Sequence, residues 1–93
     1  MRVLIVSDTL AGGMGVLVRA HAAWLASHDW DVLLAAPTDG PRPDSPVRFA
    51  EIPDVSSFRR TGEMRAARAA LRAVWRRDAD PSTVVHAHGL RSF

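Results

Sequence analysis

The sequence predicts an α/β domain built on a parallel sheet, and three observations carry that expectation. Short β-branched and apolar runs alternate along the chain with longer alanine-rich segments of helical character. The runs Arg2–Ser7 and Asp31–Ala36 lack the alternation of a strand with one wet face, so they read as strands covered on both sides. Glycine and proline punctuate the rest, with a glycine-rich stretch directly after the first run and Pro37, Gly40, Pro41, Pro43 and Pro46 after the second.

Taken in order, Arg2–Ser7 is the first strand. It is followed by the glycine-rich loop Asp8–Gly15, in which three of the last four residues are glycine. A helix is expected over Val16–Ser27, with Leu17, Ala20, Trp24 and Leu25 on one apolar face and His28-Asp29 at its end. Asp31–Ala36 is the second strand, stopped by Pro37, and the proline-rich segment Thr38–Pro46 is an irregular surface loop. Val47–Ile52 alternates in and out before Pro53, as a third and less buried strand should. The polar stretch Asp54–Gly62 leads into the clearest helix, Glu63 to Arg77, with Thr61 or Gly62 as N-cap and Glu63 suited to the positive helix start. After the turn Asp78–Ser82, Thr83–His88 forms the fourth strand, broken by Gly89. The resulting β-α-β-β-α-β order, with right-handed crossovers, gives a sheet ordered 3-2-1-4. Its switch of direction lies between strands one and four, and ligands of such sheets bind beyond the carboxyl ends of the strands there. Those ends carry the glycine loop and His86-Ala87-His88-Gly89. A sheet that stops at strand four is also expected to leave one edge unpaired and one face uncovered.

Composition narrows the function classes. The 93 residues make at most one domain, and 47% hydrophobic with 24% charged residues place it in the globular class. The apolar runs fall short of the ~20 residues that span a bilayer, and the N-terminus lacks the pattern of a signal peptide, so a cytoplasmic location is the default expectation. Cysteine is absent, which excludes disulfides and thiolate-ligated zinc. Of the four histidines only His86 and His88 are near one another in sequence, so no metal site is expected. The sequence pI of 11.0 reflects arginine chemistry and not charge excess, because all the basic residues are arginine and the formal net charge is only +2. No nucleic-acid partner is therefore inferred.

The glycine loop lies where α/β proteins handle phosphates, since glycines bring backbone N–H groups close to a ligand and the following helix adds partial positive charge. Two such chemistries fail on residues. Gly13-Met14-Gly15 begins a dinucleotide fingerprint, but Val18 stands at the third glycine position, and the second strand ends Ala35-Ala36-Pro37 without an acid for the ribose. A phosphate-binding loop of the NTPase kind needs a lysine, and the chain has none. A plain tight connection between strand and helix is the remaining structural alternative.

The combination of Arg2-Val3-Leu4-Ile5-Val6, Gly12-Gly13-Met14-Gly15, Ala22-Ala23-Trp24-Leu25-Ala26, Trp30-Asp31-Val32 and Val84-Val85-His86-Ala87-His88-Gly89 resembles the N-terminal domain of family-four glycosyltransferases. The resemblance runs from Met1 to about Gly89. It implies a Rossmann-like domain of the two-domain GT-B architecture, and transfer of a sugar from a nucleotide-diphosphate sugar to an acceptor without a metal. That donor is a substrate, so no cofactor is expected.

Carried over by position, Gly12, Gly13 and Gly15 would border the cleft and present N–H groups to a donor or acceptor phosphate. His88 would line the acceptor side. His86, on the same strand face, lies deeper or is a packed core histidine, and Asp8 orients an acceptor hydroxyl or caps the next turn. His21 and His28 read as surface residues. By the same resemblance the 93 residues correspond to part of an N-terminal, acceptor-side domain. The donor-binding domain would then lie elsewhere, in one form as a separate chain, and the isolated chain would have little or no activity. The alternative is a non-catalytic Rossmann-like binding module or partner subunit.

One further pattern stands apart. Arg65, Arg68, Arg72 and Arg76 recur at helical spacing opposite Met64, Ala67, Leu71, Val74 and Trp75. Such a stripe is ordinarily a solvated face. Its functional alternative is contact with an anionic membrane surface. The resemblance implies a small-molecule or lipid-linked acceptor, and with the latter a peripheral place at the inner face of the membrane.

Overall fold

A computed structural model of the chain describes residues 1–53, 61–78 and 81–88. The elements run β1 (Arg2–Ser7), α1 (Gly12–Ser27), β2 (Asp31–Ala36), β3 (Arg48–Glu51), α2 (Thr61–Asp78) and β4 (Val84–His88). The four strands form one sheet in the order β3-β2-β1-β4. All three pairings are parallel, with Val3 opposite both Val32 and Val84, and Leu34 opposite Phe49. The α/β Rossmann-like arrangement expected from the sequence is therefore the observed one.

Period-two alternation divides β1 and β2 between two cores. Val3, Ile5, Val32, Leu34 and Ala36 pack with Val18 and Ala22 of α1, while Leu4, Val6, Leu33 and Ala35 pack with Ile52 and Val74 of α2. Each sheet face thus carries one helix, which corrects the expectation of an uncovered face. β4 is the exposed part: Val84, Val85, His86 and Ala87 are all exposed, and only His88 is half-buried. At the opposite end of the strands, Asp31 joins β1, β2 and β3 through Arg2 Nε at 3.4 Å and Arg48 Nε at 3.1 Å.

α1 differs from expectation in its start and in its inner face. It begins at Gly12, so Gly13, Met14 and Gly15 form its first turn and do not precede it. Its buried residues are Gly15, Val18 and Ala22, with Met14, Leu25 and Ala26 packed beside them. Leu17 is 57% and Trp24 58% exposed and Ala20 is exposed too, so most of the stripe read as inner faces outward and only Leu25 of it meets the core. Apolar side chains surround nearly the whole helix, and the sequence alone leaves its rotation undetermined. The helix ends as expected at His28 and Asp29. Asp29 takes the left-handed conformation at φ 66°, and the Trp30 N–H closes back onto the Leu25 carbonyl at 3.2 Å, with Trp30 and Leu25 both against the core.

The remaining differences are at element ends. β3 is shorter than Val47–Ile52, although both of those residues are buried and the Ile52 N–H still reaches the Ala36 carbonyl at 3.1 Å. α2 includes Thr61 and Gly62, which are helical and so not its cap. β4 starts one residue later than expected.

The β1–α1 turn is fixed around Leu10, whose side chain is fully buried. Its N–H donates to Asp39 Oδ1 at 2.7 Å, and its carbonyl accepts from Arg19 Nη1 at 3.1 Å. Thr9 donates its hydroxyl to Asp39 Oδ2 and accepts at Oγ1 from the Ala11 N–H at 3.0 Å. Two glycines make room: a Cβ on Gly15 would lie 1.8 Å from the Leu10 oxygen, and one on Gly40 would lie 2.1 Å from it. Burial alone would raise the Asp39 carboxyl, but the bonds from the Thr9 hydroxyl and the Leu10 amide outweigh it and hold the group below its ordinary value of 3.8.

Gly15→Ala should therefore destabilise the domain by about 3 kcal/mol, as forced overpacking against backbone does. Gly13→Ala, whose Cβ meets nothing within 4 Å, should be neutral or stabilising by up to about 0.5 kcal/mol. Urea unfolding of the two variants checks the pair, and equal midpoints would contradict the crowding at Leu10. Asp39→Ala should cost about 1 kcal/mol at pH 7, because the Leu10 N–H loses its partner while the carboxylate it loses is solvent-screened. A depressed carboxyl contributes stability above its unfolded value, so the gap between parent and variant should be complete above about pH 5 and close as pH falls through the lowered value. A gap unchanged at pH 2.5 would show that the charge of Asp39 is not what holds the turn.

Candidate functional site

Parallel register brings the relevant strand ends together. Ser7, the last residue of β1, lies opposite His88, the last of β4, so the turn and the histidine segment leave the sheet side by side. The buried Ser7 hydroxyl donates to the Thr9 carbonyl at 2.7 Å and starts the turn. Gly12 has φ 62°, a left-handed value that only glycine adopts freely. The first hydrogen bond of α1 runs from the Gly15 N–H to the Ala11 carbonyl at 3.2 Å. The N–H groups of Gly12, Gly13 and Met14 therefore precede the helical ladder and carry its positive end.

The three glycines have different surroundings. Gly12 and Gly13 are exposed, with nothing within 4 Å of their Cβ positions, whereas Gly15 is buried and its N–H is already used. Asp8 is half-buried at the head of the turn. Capping there is done by Ser7, Thr9 and Asp39, and among the described residues the Asp8 carboxylate takes no hydrogen bond or ion pair.

The histidines form a second cluster further along α1. His21 Nδ1 lies 3.3 Å from His88 Nε2. The His86 and His88 rings stack with centroids 4.4 Å apart and 9° between planes, and His21 meets the His86 ring edge-on at 4.8 Å. His86 shares the strand face of His88 as expected, but it is exposed and not a core residue. His21 is half-buried against β4 and not a free surface residue; His28 is exposed, stacked on Trp24 at 4.1 Å. Burial, then the neighbouring His86, lowers the pKa of His21; burial, then His86 and His21, lowers that of His88. His21 follows Gly12 by nine residues of α1, or about 14 Å of helix. The His88 ring thus engages the middle of α1 while its backbone borders the turn.

Sequence reasoning missed Asp39 and His21. Asp39 was findable, because the loops after two adjacent parallel strands must lie side by side. His21 was not, because its inward position depends on the rotation of α1.

On the other side of the sheet, Arg65, Arg68, Arg72 and Arg76 are exposed along α2. Val74 is buried, Leu71 is half-buried and Trp75 remains 41% exposed; Met64 and Ala67 lie outside the residues whose side chains are described. An open apolar groove lies between α2 and β4, lined by Leu4, Val6, Leu71, Trp75, Val85 and Ala87 and rimmed by Arg72 and Arg76. No helix among the described residues is long and apolar enough to cross a membrane.

Comparison with known proteins bears on this arrangement at the family level. No curated protein and no solved structure gave a significant match to the chain. Residues 11–93, from the residue before α1 through the histidine strand, match the family model described as Glycosyltransferase Family 4. With most of the chain matched, and with the parallel 3-2-1-4 sheet expected of that domain, the protein belongs to glycosyltransferase family 4.

Proposed function

We propose that the chain supplies the acceptor-side wall of a glycosyltransferase that moves a sugar from a nucleotide-diphosphate sugar to an acceptor, with the donor-binding half contributed by further polypeptide. The observation that carries this reading is the start of α1: three N–H groups ahead of the helical ladder, two of them on glycines that face open space, within a chain of this family. Backbone donors at a helix N-terminus suit a phosphate on donor or acceptor. Gly12 and Gly13 take the contact role; Gly15 takes a packing role, letting α1 approach Leu10. Asp8 orients an acceptor hydroxyl beside them, and His88 borders the same crevice. No resident cofactor enters this scheme. A non-catalytic module of the same fold would keep the phosphate contact and lack transfer.

A second reading concerns α2. Four exposed arginines flank a half-exposed tryptophan and an apolar groove, and that combination favours peripheral association with the inner, anionic face of a membrane carrying a lipid-linked acceptor.

Titrating the isotopically labelled chain with nucleotide-diphosphate sugars should shift the amide resonances of Gly12, Gly13 and Met14 at millimolar concentration, and that of Gly15 much less. Shifts confined to other segments would sink the phosphate contact. Transfer assays on the chain alone should show no turnover, and turnover would contradict the need for a donor-binding half. Co-sedimentation should recover more chain with anionic than with neutral vesicles, and the difference should disappear in 0.5 M salt as charges are screened. Equal recovery with neutral vesicles would remove the α2 reading.

A further inference from the structure

The histidine cluster has a geometry that neither phosphate binding nor the packing of α1 requires. His86 and His88 are two residues apart on one face of β4, so both rings project toward α1. His21 comes from the inner flank of α1, one residue before the buried Ala22. One ligand nitrogen from each of the three lies within 4.8 Å of the others, and the His21 and His88 nitrogens are 3.3 Å apart. A tetrahedral ion with bonds of ~2.0–2.1 Å places its ligand nitrogens about 3.3 Å from one another. The His21–His88 separation, spanned here by a hydrogen bond between the two imidazoles, matches one edge of that tetrahedron, and an ion would take the place of the shared proton. The exposed His86 has to close by at most about 1.5 Å and tilt out of its stack on His88, a movement within the reach of a surface side chain.

We propose that His21, His86 and His88 bind a divalent transition cation of the zinc class and that the ion ties β4 to α1. Three imidazoles with no carboxylate in the set suit zinc, nickel or copper and disfavour magnesium and calcium. Metal ligation needs neutral imidazole, so binding should weaken as pH falls. Three protein ligands leave a fourth position to water, so the site is an open one. The ion links residues far apart in sequence, one on a well-packed helix and two on the exposed edge strand. Its binding energy is therefore added to the docking of β4. This inference does not depend on the sugar-transfer reading.

Calorimetric titration of the tag-free 93-residue chain with zinc chloride at pH 7.5 tests it. One ion per chain is expected, together with a rise in the thermal midpoint on adding zinc and no response to magnesium. His21→Ala and His86→Ala should each weaken zinc binding at least about 10-fold, since loss of a ligand costs no less than loss of an outer partner. His28→Ala, which removes the histidine outside the cluster, should leave binding unchanged. Because His86 is exposed, His86→Ala does not disturb the core, and circular dichroism of that variant confirms that it is folded. Absence of saturable zinc binding, unchanged affinity in His86→Ala, equal loss in His28→Ala, or two chains per ion would each overturn the proposal.

Discussion

The arrangement of this domain depends on how closely the β1–α1 turn approaches the loop after β2. Leu10 is the meeting point. Its side chain is buried in the core, its N–H is held by Asp39, its carbonyl is held by Arg19, and two glycines are packed against that carbonyl. A backbone carbonyl so enclosed needs a partner inside the protein, because unpaired buried polar groups cost about as much as a lost hydrogen bond. Arg19 supplies it and also donates to the Pro41 carbonyl at 3.0 Å, so one guanidinium links α1 to both segments. Gly15 and Gly40 are thus steric requirements of one contact, although they belong to different loops.

That contact sets the rotation and height of α1, and other properties follow from it. With Gly15 pressed on Leu10, Val18 and Ala22 come inward behind it, one turn apart each. The same rotation carries His21 to the flank of the sheet where β4 lies, and turns Leu17 and Trp24 to solvent. It also leaves Gly12 and Gly13 at the open end of the helix. A chain with the same strands but without the glycine at position 15 would tilt the helix away and lose both arrangements.

The sequence was most legible where burial is symmetrical. β1 and β2 are covered on both faces, so their continuous apolar runs gave their limits correctly, and the order of elements gave the sheet. α2 was readable in phase because arginines recur on one side, and Val74 is buried as that pattern requires. α1 was misread for the opposite reason: with apolar residues all round, only tertiary contact decides which face turns inward. The glycines signalled a loop by local propensity, yet the helix begins among them because packing on Leu10 rewards a helical Gly15. The glycine-rich start of α1 was visible as a motif. The histidine cluster was not, because its third member arrives through that same undetermined rotation.

The position of β1 in the middle of the sheet also bears on how the chain reaches this structure. Val3 pairs with Val32 on one side and Val84 on the other, so the two pairings close loops on the order of thirty and eighty residues. The longer closure costs about 0.9 kcal/mol more in chain entropy. β4 also returns less for it, because most of its residues remain exposed. Assembly should therefore begin with the β1-α1-β2 unit, and β4 should join last and fray first, opening the edge of the sheet while the Leu10 junction stays closed.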